Sequence, residues 1–118
     1  MLNKRFYTLK PDKMKPLELA VVASANSPVV SVKTARTVEV WIELTNGAAG
    51  DFDFQLQAAI ATAGPFVNVG TPVLNRVTDG IFAIVVNRAD HALGTDLRLA
   101  YTANAGQFDI EAQIVRLE

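Results

Sequence analysis

Apolar and polar side chains alternate with a period of two between residues 36 and 60. Val38, Val40, Ile42 and Leu44 share one face, and Phe52, Phe54, Leu56, Ala58 and Ile60 repeat the pattern. Glu39, Glu43, Asp51, Asp53, Gln55 and Gln57 fill the gaps. This period turns one face of a pleated strand inward and the other to water. Asn46, Gly47 and Gly50, between the two runs, tolerate the positive φ of a tight reversal. The stretch therefore predicts two antiparallel strands, with a hairpin as one way of joining them.

The rest of the chain follows the same grammar. Leu17–Ala23 alternates weakly, Ser24–Pro28 reads as a turn cluster, and Val29–Lys33 reads as a short strand. Phe66–Val69 predicts a strand ended by Gly70-Thr71-Pro72, with Val73–Val77 as a separate one. Ile81–Val86, after the Asp79-Gly80 turn, is apolar on both faces and predicts a strand at the centre of a sandwich. Asn87–Gly94 is a loop with room for one helical turn. Leu97, Leu99, Tyr101 and Ala103, and then Phe108, Ile110, Ala112 and Ile114, mark two final strands. About eight strands with turn signals every 8–12 residues predict an all-β antiparallel sandwich, jelly-roll-like or immunoglobulin-like. No helix longer than about two turns is expected.

Charge changes the picture at the N-terminus. Residues 1–16 hold five basic residues against one acidic, a net +4; the remainder holds six basic against eleven acidic, a net −5. Pro11 and Pro16 favour an extended path there. Leu2, Phe6, Tyr7 and Leu9 are too apolar for a purely solvated tail. The expected organisation is an extended basic arm over residues 1–16 and a sandwich domain over 17–118. If extended, the arm reaches about 50 Å, enough to cross onto a neighbouring subunit. Lys4, Arg5, Phe6, Tyr7, Leu9 and Lys10 are its candidate contact residues. The basic stretch lacks the apolar core of a secretory signal. No apolar run approaches the roughly 20 residues of a membrane helix.

Candidate chemistry is sparse. There is no cysteine and one histidine, His91, so metal sites built from sulfur and nitrogen have too few ligands. No Gly-x-Ser-x-Gly or glycine-rich phosphate loop occurs. Asp51 and Asp53 share a strand face, as paired glycosidase carboxylates do, but next to a turn they read as solvated residues. The chain is expected to be non-enzymatic and to need no cofactor or metal. The acidic body argues against nucleic acid as the main partner. Trp41 stands out because it shares its face with Glu39, Glu43 and Thr45. It either stacks on a sugar, anchors a protein contact, or lies covered by the arm or by a long loop.

From Asp51 onward, the chain carries Asp-Phe-Asp-Phe-Gln-Leu-Gln-Ala, Gly-Pro-Phe-Val-Asn-Val-Gly-Thr-Pro-Val and Asp-Leu-Arg-Leu-Ala-Tyr-Thr-Ala-Asn-Ala-Gly-Gln-Phe-Asp-Ile-Glu-Ala. In these stretches it resembles small β-sandwich structural proteins of tailed bacteriophages, which decorate or cement capsids or form minor virion parts. The resemblance implies a virion protein assembled in the host cytoplasm, whose partners are the capsid lattice, other virion proteins and copies of itself. The chain is also similar in shape to carbohydrate-binding modules. That likeness implies the rival function, glycan binding on an exposed sheet face by Trp41 with Tyr101.

Overall fold

The computed structural model describes residues 4–8, 15–33, 35–47 and 50–117, with side chains from Val21 onward. The strands are β1 (Lys4–Thr8), β2 (Lys15–Val21), β3 (Ser24–Asn26), β4 (Val30–Ser31), β5 (Thr37–Thr45), β6 (Asp51–Ala59), β7 (Val67–Arg76), β8 (Gly80–Asn87), β9 (Asp96–Ala105) and β10 (Phe108–Leu117). They build two antiparallel sheets. In the first, β10, β5 and β8 follow in order, and β1 and β2 both pair with the free side of β10. In the second, β9, β6 and β7 follow in order, and β3 and β4 both pair with β9. Among the described residues, ten segments thus fill eight strand positions. This strand order is that of a jelly roll, two Greek keys folded into facing sheets, and it decides between the two topologies the alternation left open.

The alternation works as expected inside the sandwich. Val38, Val40, Ile42 and Leu44 of β5, with Phe108, Ile110 and Ile114 of β10, face Phe52, Phe54 and Leu56 of β6 and Leu97 and Leu99 of β9 across the interior. Each face buries what the opposite sheet presents. Phe108 is central: its ring lies 4.4 Å from that of Phe52, 5.7 Å from Phe54 and 6.1 Å from Tyr101.

Several local expectations give way to the tertiary arrangement. β5 and β6 do not form a hairpin. β5 pairs with β10 and β8, while β6 pairs with β9 and β7, so the chain between them crosses from one sheet to the other. Ser24–Asn26 is a strand rather than a turn, held opposite Thr102, Tyr101 and Ala100. Phe66–Val69 and Val73–Val77 are not separate strands, because Val67–Arg76 runs as one. Its pairing shifts register on either side of Phe54↔Val73, and Gly70 and Asn75 take positive φ of 75° and 55°. Bulges and Pro72 are tolerated because β7 is an edge strand. Ile60 does not continue the inward row: β6 ends at Ala59, the chain bends, and Ile60 is 83% exposed.

The loop after β8 contains the helical turn, with His91 N–H donating to the Asn87 carbonyl (3.0 Å). Within the arm region, the backbone of Lys4–Thr8 pairs with Leu117–Gln113 of β10 in the same sandwich. The second strand begins at Lys15. Leu9 and Lys10 lie outside the described residues, as do the side chains of Lys4, Arg5, Phe6 and Tyr7. Among the described residues no helix is long and apolar enough to cross a membrane.

Candidate functional site: the outer face of the first sheet

Trp41 sits in the middle of β5, an interior strand of the first sheet, with Gln113 of β10 on one side and Ala83 of β8 on the other. It is 41% exposed, and its indole N–H donates to the Glu39 carboxylate (3.1 Å). The indole is therefore neither covered nor free to swing.

The register defines its neighbours. Glu43 lies opposite Glu111 on β10 and opposite Ile81 on β8; Glu39 lies between Val115 and Val85; Thr45 lies opposite Asp109. The result is an apolar strip, Trp41–Ala83 flanked by Ile81 (58% exposed) and Val85 (52% exposed), beside an acidic band of Glu39, Glu43, Glu111 and Asp109. Two carboxylates directly opposite on adjacent strands repel. The Glu43–Glu111 pair is thus an arrangement that a basic group placed against this face would relieve. An apolar strip rimmed by charge also suits a protein contact better than water.

Ile81 and Val85 are functional candidates that sequence reasoning missed. Ile81–Val86 reads as a central strand because both faces are apolar. β8 is instead an edge strand of the first sheet, and only Phe82, Ile84 and Val86 turn inward. The available signal was the same double-sided apolarity, which fits an exposed contact strip as well as burial.

The other singled-out residues do not converge. Asp53 accepts a hydrogen bond from Asn75 N–H (2.8 Å) and braces the bulge in β7, and Asp51 accepts one from the Asn104 side chain (3.4 Å). His91 lies in the loop beyond the far end of β6, and the strand residues from Asp53 to Ala59 alone span about 20 Å. Tyr101 cannot join Trp41 in a platform. It belongs to the other sheet, follows Leu97 and Leu99 inward on β9, and is 3% exposed against Phe108.

The outer face of the second sheet is a polar network. Arg98 donates to Gln57 (2.8 Å), Gln57 donates to Asn68 (3.0 Å), and the Arg98 guanidinium lies 4.0 Å over the Phe66 ring. These groups satisfy one another. Ala58, Ala59, Ile60, Pro65, Val67, Ala92 and Gly94 line an open apolar hollow of about 260 Å³ at one end of the sandwich.

No known family model matches the chain, and no curated protein matches it. Solved structures do. The protein YomS derived from the SPBc2 prophage aligns over 100% of this chain and 96% of its own, with TM-score 0.53 and 7% identity. The C-terminal CBM6 of LamC from Zobellia galactanivorans aligns over 97% and 99%, with TM-score 0.54 and 10% identity. The VP2 subviral particle of infectious bursal disease virus aligns over 98% of this chain and 32% of that one, with TM-score 0.56 and 9% identity. The chain thus spans about a third of VP2. At such identities the likeness shows the fold alone: this is a β-sandwich of the kind found both in proteins of viruses and prophages and in a carbohydrate-binding module.

Proposed function

We propose that this protein is a non-enzymatic structural component of a virus particle, a capsid decoration or cement protein that holds neighbouring subunits through its N-terminal arm. One observation carries the reading: the acidic and apolar outer face around Trp41 is the chemical complement of the arm. The face offers Glu39, Glu43, Glu111 and Asp109 beside Trp41, Ile81 and Val85. The arm offers Lys4, Arg5 and Lys10 among Phe6, Tyr7 and Leu9. Ordering an extended segment costs about 1–2 kcal/mol per residue in backbone entropy, so charge attraction alone would not hold it. Burying Tyr7 and Leu9, which share one face of an extended segment, against an exposed indole would supply the remainder. In an isolated chain β1 pairs with its own β10; in an assembly the same strand exchanged between copies, or laid on a neighbour's Trp41 face, would join subunits.

The test is charge reversal with the sandwich left whole. Lys4→Glu/Arg5→Glu is expected to weaken binding to purified particles on the order of tenfold at low salt, and less at high salt, as screened charges require. Binding unchanged by the reversal would remove the arm mechanism. Absence of the protein from purified particles by mass spectrometry would remove the virion assignment.

Exposure of Trp41 favours a second reading, glycan binding on the same face. An indole fixed by Glu39 and flanked by Glu43 and Gln113 has the aromatic surface and hydrogen-bonding groups a sugar ring needs. Trp41→Ala is then expected to abolish binding on a glycan array while costing less than about 1 kcal/mol of stability, since the side chain packs on the surface. An intact protein that binds no glycan on the array dismisses this reading.

A further inference from the structure

The strands at the margins of this sandwich are unequally protected, and β8 is the least so. β3 and β4 are three and two residues long. β7 contains Pro72 and is bulged at Gly70 and Asn75. β1 has five residues, and β2 contains Lys15 and Pro16. Short strands, prolines, charges and bulges are the devices that stop a sheet from pairing with another chain. β8 has none of them. It runs eight residues without proline or charge and pairs with β5 in unbroken register from Thr37↔Asn87 to Leu44↔Gly80. Its other side has no strand partner among the described residues. Ile81 and Val85 stand exposed beside that open edge.

We propose that β8 is a homodimerisation edge, where a second copy of the chain pairs its own β8 antiparallel to this one and joins the two first sheets into a single sheet. The occupant follows from self-complementarity. A twofold axis at Ala83 sets Ile81 of each copy opposite Val85 of the other and Ala83 opposite Ala83. All of these lie on the outer face, and cross-strand apolar pairs are the unit of sheet stabilisation. Phe82, Ile84 and Val86 keep their places in the interior. The acidic residues of β5 do not oppose the pairing. The two β5 strands lie three strand spacings apart, about 14 Å. That exceeds the ~8–10 Å over which exposed charges act at ordinary salt, so the Glu39 and Glu43 carboxylates of the two copies do not confront one another. A partner carrying basic residues would gain nothing from β8, which offers no carboxylate. One strand pair covers less than the ~1,600 Å² of a standard interface, so the dimer is expected to be reversible and concentration-dependent. This inference does not rest on the virion reading.

The chain allows a direct test because it contains no cysteine. Ala83→Cys places one thiol per copy at the proposed axis. Directly opposed residues of antiparallel strands have Cβ atoms about 4.5–5.5 Å apart, at the edge of disulfide range. Mild oxidation should cross-link Ala83→Cys on the order of tenfold faster than Thr102→Cys on the outer face of the other sheet. In sedimentation velocity the unmodified protein should show a monomer–dimer equilibrium. Ile81→Lys/Val85→Lys opposes lysine to lysine at both ends of the pair and should raise the dissociation constant by about 100-fold. Its circular dichroism should stay unchanged, and its melting midpoint should match that of the unmodified protein at concentrations where the latter is monomeric, since both sites are exposed. Three results would overturn the proposal: a monomer at every accessible concentration, a dimer as tight with the lysine pair as without it, or cross-linking at Ala83→Cys no faster than at Thr102→Cys.

Discussion

Phe108→Ala is expected to destabilise the sandwich by about 3–5 kcal/mol, the range for emptying a buried aromatic site. Phe108 is fully buried and, among the described residues, is the one ring in contact with Phe52, Phe54 and Tyr101 together. It opens β10, which pairs with β5 on one side and with β1 and β2 on the other. The cavity left by its ring would open between the two sheets, where β6 and β9 are held by pairing partners of their own and cannot collapse inward. Against a total stability of about 5–15 kcal/mol, this loss removes a large fraction. The melting midpoint is expected to fall on the order of 15 °C, measured by scanning calorimetry. The control is Leu74→Ala on the exposed side of β7, expected to cost less than about 0.5 kcal/mol. Comparable losses for the two substitutions would show that the aromatic cluster does not centre the core.

Arg88→Ala is expected to cost about 3 kcal/mol through a different mechanism, the loss of charge-assisted hydrogen bonds to backbone. The guanidinium of Arg88 donates through Nε to the Ala35 carbonyl (2.7 Å), through Nη2 to Val32 (2.8 Å) and through Nη1 to Gly94 (3.1 Å). Its own N–H donates to the Arg36 carbonyl (2.7 Å). One side chain thus pins the loop after β8 to the segment that leads into β5. Val32 and Ala35 are buried, so carbonyls in this segment have little access to replacement water. Arg88→Lys keeps the charge but cannot spread three planar donors over three carbonyls, and is expected to recover less than half of the loss. Urea midpoints give the magnitude. Amide exchange at Val32, Ala35 and Thr95, whose N–H groups are bonded within the same junction, should accelerate in both variants. Stability within about 0.5 kcal/mol of wild type in both variants would mean that the fork is ornamental.

Neither prediction was visible in the linear sequence, although the strands were. The inward rows of β5, β6, β9 and β10 follow from a period of two, which is local and survives any tertiary arrangement. The charge contrast between residues 1–16 and the rest is likewise local, as is the polar company of Trp41. Partnership is not local. Asn46, Gly47 and Gly50 suit a tight reversal equally well whether the next strand returns along the same sheet or crosses to the facing one. Only the pairing of β5 with β10, and of β6 with β9, selects the crossing. Ser24-Ala25-Asn26 has turn composition, and three residues of pairing with β9 override it.

From its sequence alone this chain was bound to be built of alternating strands, with one uncommitted tryptophan and an oppositely charged terminal segment, because alternation and charge are written residue by residue. The tertiary structure decided which alternating faces meet solvent. β8 is apolar on both sides and would be buried in a sheet centre; the jelly-roll order puts it at a margin, so Ile81 and Val85 emerge beside Trp41. Tyr101 stands in the alternating row of β9 that the sequence shows, and the tertiary structure packs that row inward, against Phe108. Exposure depends on where a strand lies among its neighbours, and that position is set by pairings between residues far apart in the chain.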